Sequence, residues 1–286
     1  QTMKLSKIFA LLLALCLISS AACAATFTDA HGNVIELDDS LEAYAAVTLV
    51  GADNAARQGE TNLGDLWADA LRWFAVSGEI NAAFDEDDVK AGNDRIAVDA
   101  DHVVALWNGG NLRADIAEGT FGAEALAEVL PFPNKVAVVY MTGAQLLETL
   151  EAASQGLPYT VETADACASL MQVSGLTYTV DTAKAYDALE AYGDHWFTAG
   201  SVSRVRIDDV NGQPFDAEAT YAVVTSNANF NGMDSSYVLK AAAEANEQSA
   251  VTTAVVRDVV FRFIAAELNH QVGEAYAAPQ GRLTVL

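Results

Sequence analysis

The sequence predicts an α+β fold, a single domain with a mixed β-sheet and flanking helices. Runs of strand character and runs of helical period are interspersed without strict alternation, which disfavours a wholly parallel sheet. A composition of 52% hydrophobic and 19% charged residues supports a sizeable core and argues against disorder. No internal repeat, low-complexity tract or Pro/Ser-rich linker divides the 286 residues.

In chain order, Lys4 and Lys7 precede an apolar run at 8–18, and small residues follow to Ala22-Cys23-Ala24-Ala25. That is the pattern of a signal peptide over residues 1–25. Its run of about 11 residues is short of the roughly 20 that span a bilayer, and no later segment is long and apolar enough. The expected location is therefore secreted, periplasmic or cell-surface. Cleavage after Ala24 fits the small-x-small rule, with acylation of Cys23 as a lipoprotein as the alternative. Cys16 and Cys23 leave with the leader, and Cys167 stays as a lone thiol, read as a small buried apolar residue.

Residues 26–47 read as an N-terminal extension, two short extended runs around the turn Ala30-His31-Gly32-Asn33. Residues 48–50 suggest a short strand. Leu63, Leu66, Trp67, Ala70, Leu71 and Phe74 recur at helical spacing, with Thr61 or Asn62 as the cap. Residues 84–101 form an acidic loop around Asp85-Glu86-Asp87-Asp88, without the spacing or glycine of an EF-hand. A buried strand follows at 102–107, then a helix at 122–130 stopped by Pro131, a valine-rich strand at 135–141 and a helix at 143–153. Residues 176–180, 203–207 and 220–225 read as strands, with Asn211-Gly212 as a turn. Residues 251–268 read as one helix and 283–286 as a terminal strand.

Charge excludes whole classes of partner. Against 15 Lys+Arg stand 39 Asp+Glu, a net −24. Nucleic-acid binding draws its affinity from clustered basic residues, so nucleic acid is excluded, and so is an anionic membrane surface.

The most informative loop is Leu106-Trp107-Asn108-Gly109-Gly110-Asn111-Leu112-Arg113. Two glycines let backbone approach a ligand closely, Asn108 can donate and accept, and Arg113 can grip an anion in a bidentate fork. With Glu60-Thr61-Asn62-Leu63-Gly64-Asp65 upstream and Leu130-Pro131-Phe132-Pro133-Asn134 downstream, the chain resembles the C-terminal domain of 5′-nucleotidases. Thr142-Gly143, Ser174-Gly175-Leu176 and Gly281-Arg282-Leu283 fit the same family order, so the resemblance spans about residues 48–286.

That resemblance implies a domain that holds the nucleoside part of a nucleotide, while a separate metallophosphatase domain cleaves the phosphate. Carried over by position, Asn108, Gly109, Gly110 and Arg113 would line the site, Phe132 would stack on the base and Asp234 would bind ribose. The family's second stacking aromatic falls at Ala228. Phe230, two residues on, would lie on the same side if the chain is extended there. The family's dinuclear metal site needs clustered His, Asp and Asn ligands. Here His31, His102, His195 and His270 stand singly, and Asp29-Ala30-His31-Gly32 gives only a faint echo of a metal motif. The expectation is a nucleotide- or nucleoside-binding domain linked to extracellular nucleotide catabolism, without catalytic residues or a cofactor of its own. One alternative is a hydrolase component completed by a metallophosphatase chain in trans. A second is a solute-binding or surface module, suggested by the stretch at 27–37, which is similar to the opening strands of some metal-chelate binding proteins.

Overall fold

The computed structural model describes residues 42–84, 96 and 98–286 in full, and the backbone of 25–28 and 34–37. The expected leader, the turn at 30–33 and the acidic run at 85–88 lie outside the described residues.

Five strands form the central sheet in the order β13 (Ala250–Val255), β6 (Lys135–Thr142), β12 (Thr220–Ser226), β4 (Val103–Asn108) and β7 (Met171–Ser174). β12 runs parallel to β4, and the other neighbours are antiparallel, so the sheet is mixed as predicted. Alternate side chains of a strand face opposite sides. Val103, Ala105 and Trp107 of β4, Val136 and Val138 of β6, and Ala222 and Val224 of β12 enter one core. Val104, Leu106, Val139, Met141, Tyr221 and Val223 enter the other. Burial on both faces is why these strands read as unbroken apolar runs in the sequence.

The first core is closed by α1 (Asn62–Val76), α2 (Ala123–Val129) and α6 (Val256–Ala266). The apolar stripe of α1 is fully buried, and its Trp67 ring lies 6.1 Å from that of Trp107. Thr61 is the cap, its Oγ1 accepting the Gly64 N–H at 3.0 Å, an interaction that stabilises a helix by about 1 kcal/mol. The second core is closed by α3 (Gly143–Ala153), α5 (Tyr237–Ala245) and a sheet ordered β11 (Val205–Val210), β8 (Leu176–Val180), β15 (Leu283–Val285). A reciprocal capping box starts α3: Gln145 N–H donates to Thr142 Oγ1, and Thr142 N–H donates to Gln145 Oε1.

Three small sheets complete the fold. β3 (Glu42–Ala45) lies between β5 (Gly119–Gly122) and β14 (Gln271–Val272), ahead of the expected domain start at residue 48. β1 (Ala25–Thr28) pairs antiparallel with β2 (Val34–Leu37), matching the two predicted runs. β9 (Ala188–Ala191) and β10 (Phe197–Ala199) make an exposed hairpin.

Two expectations are corrected. Residues 48–50 are not a strand; Leu49 makes only an isolated bridge to Ile116. Residues 251–268 are not one helix, because 250–255 are strand β13. Its β-branched run Val251-Thr252-Thr253 favours extended chain, and the Thr252 hydroxyl donates to the Val136 carbonyl at 2.9 Å.

Candidate functional site

The site is built at the end of β4, where the chain leaves Asn108 through a tight turn at Gly109–Asn111. Both glycines are required by packing. A Cβ on Gly109 would lie 1.9 Å from the Ala56 carbonyl oxygen, and one on Gly110 would lie 2.6 Å from the Ala168 Cβ. The Gly109 N–H donates to the Leu170 carbonyl at 2.7 Å. This corrects the expectation that it is presented to a ligand: Gly109 seats the turn against its neighbours.

Asn108 is fully buried and works through others. Its Nδ2 donates to Asp234 Oδ2 at 2.6 Å, and its Oδ1 accepts from Asn111 Nδ2 at 2.9 Å. Asp234 is half-buried, with φ 50° at Asp234 and 61° at Ser235, both left-handed. Such non-glycine residues cost about 1–3 kcal/mol each and persist where the surroundings over-determine them. The surroundings do so here: Asn229 accepts from the Ser226 hydroxyl at 2.6 Å and donates to Ser236 Oγ at 2.8 Å.

The turn delivers Arg113 to the surface. Its guanidinium carbon lies 5.8 Å from the centroid of the Phe132 ring, and Phe132 is 43% exposed. The Arg113 guanidinium makes no hydrogen bond or ion pair among the described residues. A second guanidinium, Arg57, comes from the short turn Ala55–Arg57 that packs on Gly109. Arg57 is buried, donates to the Ala164 carbonyl at 2.8 Å and lies 3.8 Å from the exposed Asp165 carboxylate.

These charges act on one another. Burial pushes the Asp234 carboxyl up from its ordinary range, and Arg57 and Arg113 oppose that shift. Partial burial and then Arg57 pull Arg113 down, while Asp234 raises it. Neither arginine closes an ion pair with Asp234 within 4 Å. Two guanidiniums, one carboxylate and one exposed ring therefore share a neighbourhood without neutralising each other.

The structure thus brings Asn108, Gly109, Gly110, Arg113, Phe132 and Asp234 together, and adds Arg57. Phe230 is a correction. Residues Asn227–Phe230 form a helical turn, α4, capped by Ser226. Two residues along a helix are about 200° apart, so Phe230 leaves the side of Ala228 and packs against the second core. Missing from the sequence reading was Arg57, whose one available signal was its rarity in so acidic a chain.

Among the described residues no set fits the dinuclear metal centre that the resemblance places in a separate domain, and Asp29 and His31 lie outside those residues. His102 packs on Tyr221 at 5.4 Å, and His270 Nδ1 lies 2.9 Å from the Glu42 carbonyl. Among the described residues no three His, Cys, Asp or Glu side chains gather as metal ligands.

Comparison with known proteins follows the same line. A trifunctional nucleotide phosphoesterase of Bacillus subtilis strain 168 is 29% identical over 191 residues, covering 64% of this chain and 10% of that protein. The 5′-nucleotidase precursor of Thermus thermophilus superposes with a TM-score of 0.61 at 26% identity, over 98% of this chain and 43% of that one. An NAD nucleotidase of Haemophilus influenzae shares the fold, with a TM-score of 0.57 at 14% identity over 98% of this chain and 42% of its own. The chain thus spans less than half the length of these relatives. The profile of the 5′-nucleotidase C-terminal domain matches residues 42–241, and with the motifs of the β4 turn now placed around one site, the chain belongs to that family.

Proposed function

We propose that this chain binds a nucleotide at the end of β4 and serves extracellular nucleotide catabolism. In this reading the base stacks on Phe132, whose open face suits a flat ring. Arg57 and Arg113 receive the phosphate, as guanidinium forks do. Asp234, held by Asn108, accepts the ribose hydroxyls. One observation carries the reading: the Arg113 guanidinium, without a hydrogen bond or ion pair among the described residues, lies against the exposed Phe132 ring in a chain of net charge −24. It favours a phosphorylated ligand over a neutral nucleoside.

We further propose that the chain holds its ligand without cleaving it, because its histidines are too scattered to build the metal pair that hydrolysis needs. Relatives more than twice as long support a division of labour in which a metallophosphatase unit, joined in cis or met in trans, supplies the cleavage. The leader motif at 1–25 supports export. Among the described residues no helix is long and apolar enough to cross a membrane.

The test is calorimetric titration of the purified chain with AMP and with adenosine, beside a phosphate-release assay in Mn²⁺ or Zn²⁺. AMP binding tighter than adenosine, without phosphate release, is the expected result. Absence of AMP binding would overturn the site, and metal-dependent turnover by the chain alone would overturn the division of labour.

A further inference from the structure

The hairpin β9–β10 is exposed on nearly every side, yet it is tied to the segment that carries Asp234. Gln155, just past the end of α3, accepts the Phe197 N–H at 3.0 Å and donates to Ser235 Oγ at 2.8 Å. On the other side of Asp234, a Cβ on Gly232 would lie 2.0 Å from the Tyr192 hydroxyl, so the hairpin packs directly on that glycine. The rings of Tyr192 and Tyr237 are 5.4 Å apart. The Tyr237 hydroxyl accepts the Ala199 N–H at 2.9 Å and donates to Glu148 at 2.8 Å.

Asp234 thus sits between two holds, Gly232 before it and Ser235 after it, and it occupies the left-handed conformation with Ser235. Non-glycine residues stay in that region only while neighbours fix them. The hairpin thus touches Gly232 through Tyr192 and reaches Ser235 through Gln155, while the Asp234 carboxylate itself accepts from Asn108.

We propose that the β9–β10 hairpin is a specificity element of the binding site and that Gln155 is its positioning residue, fixing where Asp234 meets the sugar. The inference rests on the nucleotide-binding reading above. Its consequence is selection for ribose hydroxyls: AMP should bind about 10-fold tighter than 2′,3′-dideoxy-AMP, the worth of one good charge-assisted hydrogen bond.

In the Gln155→Ala variant that preference should collapse toward one, with affinity for the dideoxy compound little changed. Amide hydrogen exchange of residues 233–236 in the unliganded protein should rise about 10-fold, as expected when a holding hydrogen bond is lost. Gln155→Glu should restore both readings, because a carboxylate can accept from the Phe197 N–H and from the Ser235 hydroxyl. Unchanged exchange in Gln155→Ala would overturn the hold, and faster exchange with an unchanged AMP preference would overturn the specificity role. Failure of the wild-type chain to bind either compound would overturn the binding reading itself, and exchange alone would then decide whether Gln155 holds this segment.

Discussion

Arg282 and Arg113 are both guanidiniums set among carboxylates, and they sit in opposite circumstances. Arg282 donates to Asp69 at 2.8 Å, to the Val173 carbonyl at 2.9 Å and to Gln280 at 2.7 Å. The same Asp69 also accepts from Ser174 and Tyr276. Nearby, Glu60 accepts the backbone N–H groups of Gln280 and Leu283, which pins the C-terminal strand beside α1. Arg113 meets only a ring face and two through-space charges. A cluster that satisfies itself holds the chain together, whereas a cluster with donors left over points outward to a ligand.

Removing each arginine is the sharpest way to break that contrast. Arg282→Ala should cost up to about 3 kcal/mol of stability, since it takes a charge-assisted donor from the half-buried Asp69 carboxylate; urea unfolding measures it. AMP affinity, corrected for the folded fraction, should stay as it was. Arg113→Ala should do the reverse, with AMP binding weakened about 100-fold and stability within about 0.5 kcal/mol of wild type. Equal effects of the two variants on stability would erase the distinction. Phe132→Ala should weaken AMP about 10-fold, within the range of base–aromatic stacking, and Phe132→Tyr should recover most of it.

The same comparison can be tested by a slope with pH. Burial first, then Glu60, push the Asp65 carboxyl up to about 8, against the pull of Arg282. The folded chain therefore keeps a proton that the unfolded chain releases near pH 4. Stability should fall as pH rises from about 4 to about 8 and level off above, by at most about 1.4 kcal/mol per pH unit from this group. Asp65→Asn should flatten the slope and overtake wild type at pH 8; a slope as steep as wild type's would place the proton elsewhere.

What the sequence disclosed follows from packing. β4, β6 and β12 are covered on both faces, so their apolar runs were plain, and the stripe of α1 faces one core throughout. The β4 turn was legible because its composition is dictated by close approach: Gly109 and Gly110 admit no side chain. Arg57 was hidden because only tertiary packing of the Ala55–Arg57 turn on Gly109 brings it to the β4 turn. Phe230 was misplaced because Ser226 and Asn229 form a local cap, and that cap turns an extended-looking stretch into helix. The β9–β10 hairpin left no period to read, since β9 is exposed on both faces.

The most direct measurement is a crystal structure of the chain with AMP. The account predicts the phosphate between Arg57 and Arg113, the base on the Phe132 ring and a ribose hydroxyl on Asp234. AMP seated instead in the cleft of about 570 Å³ bordered by Gln58, Glu60, Asn62 and Pro279, with the β4 site empty, would contradict it.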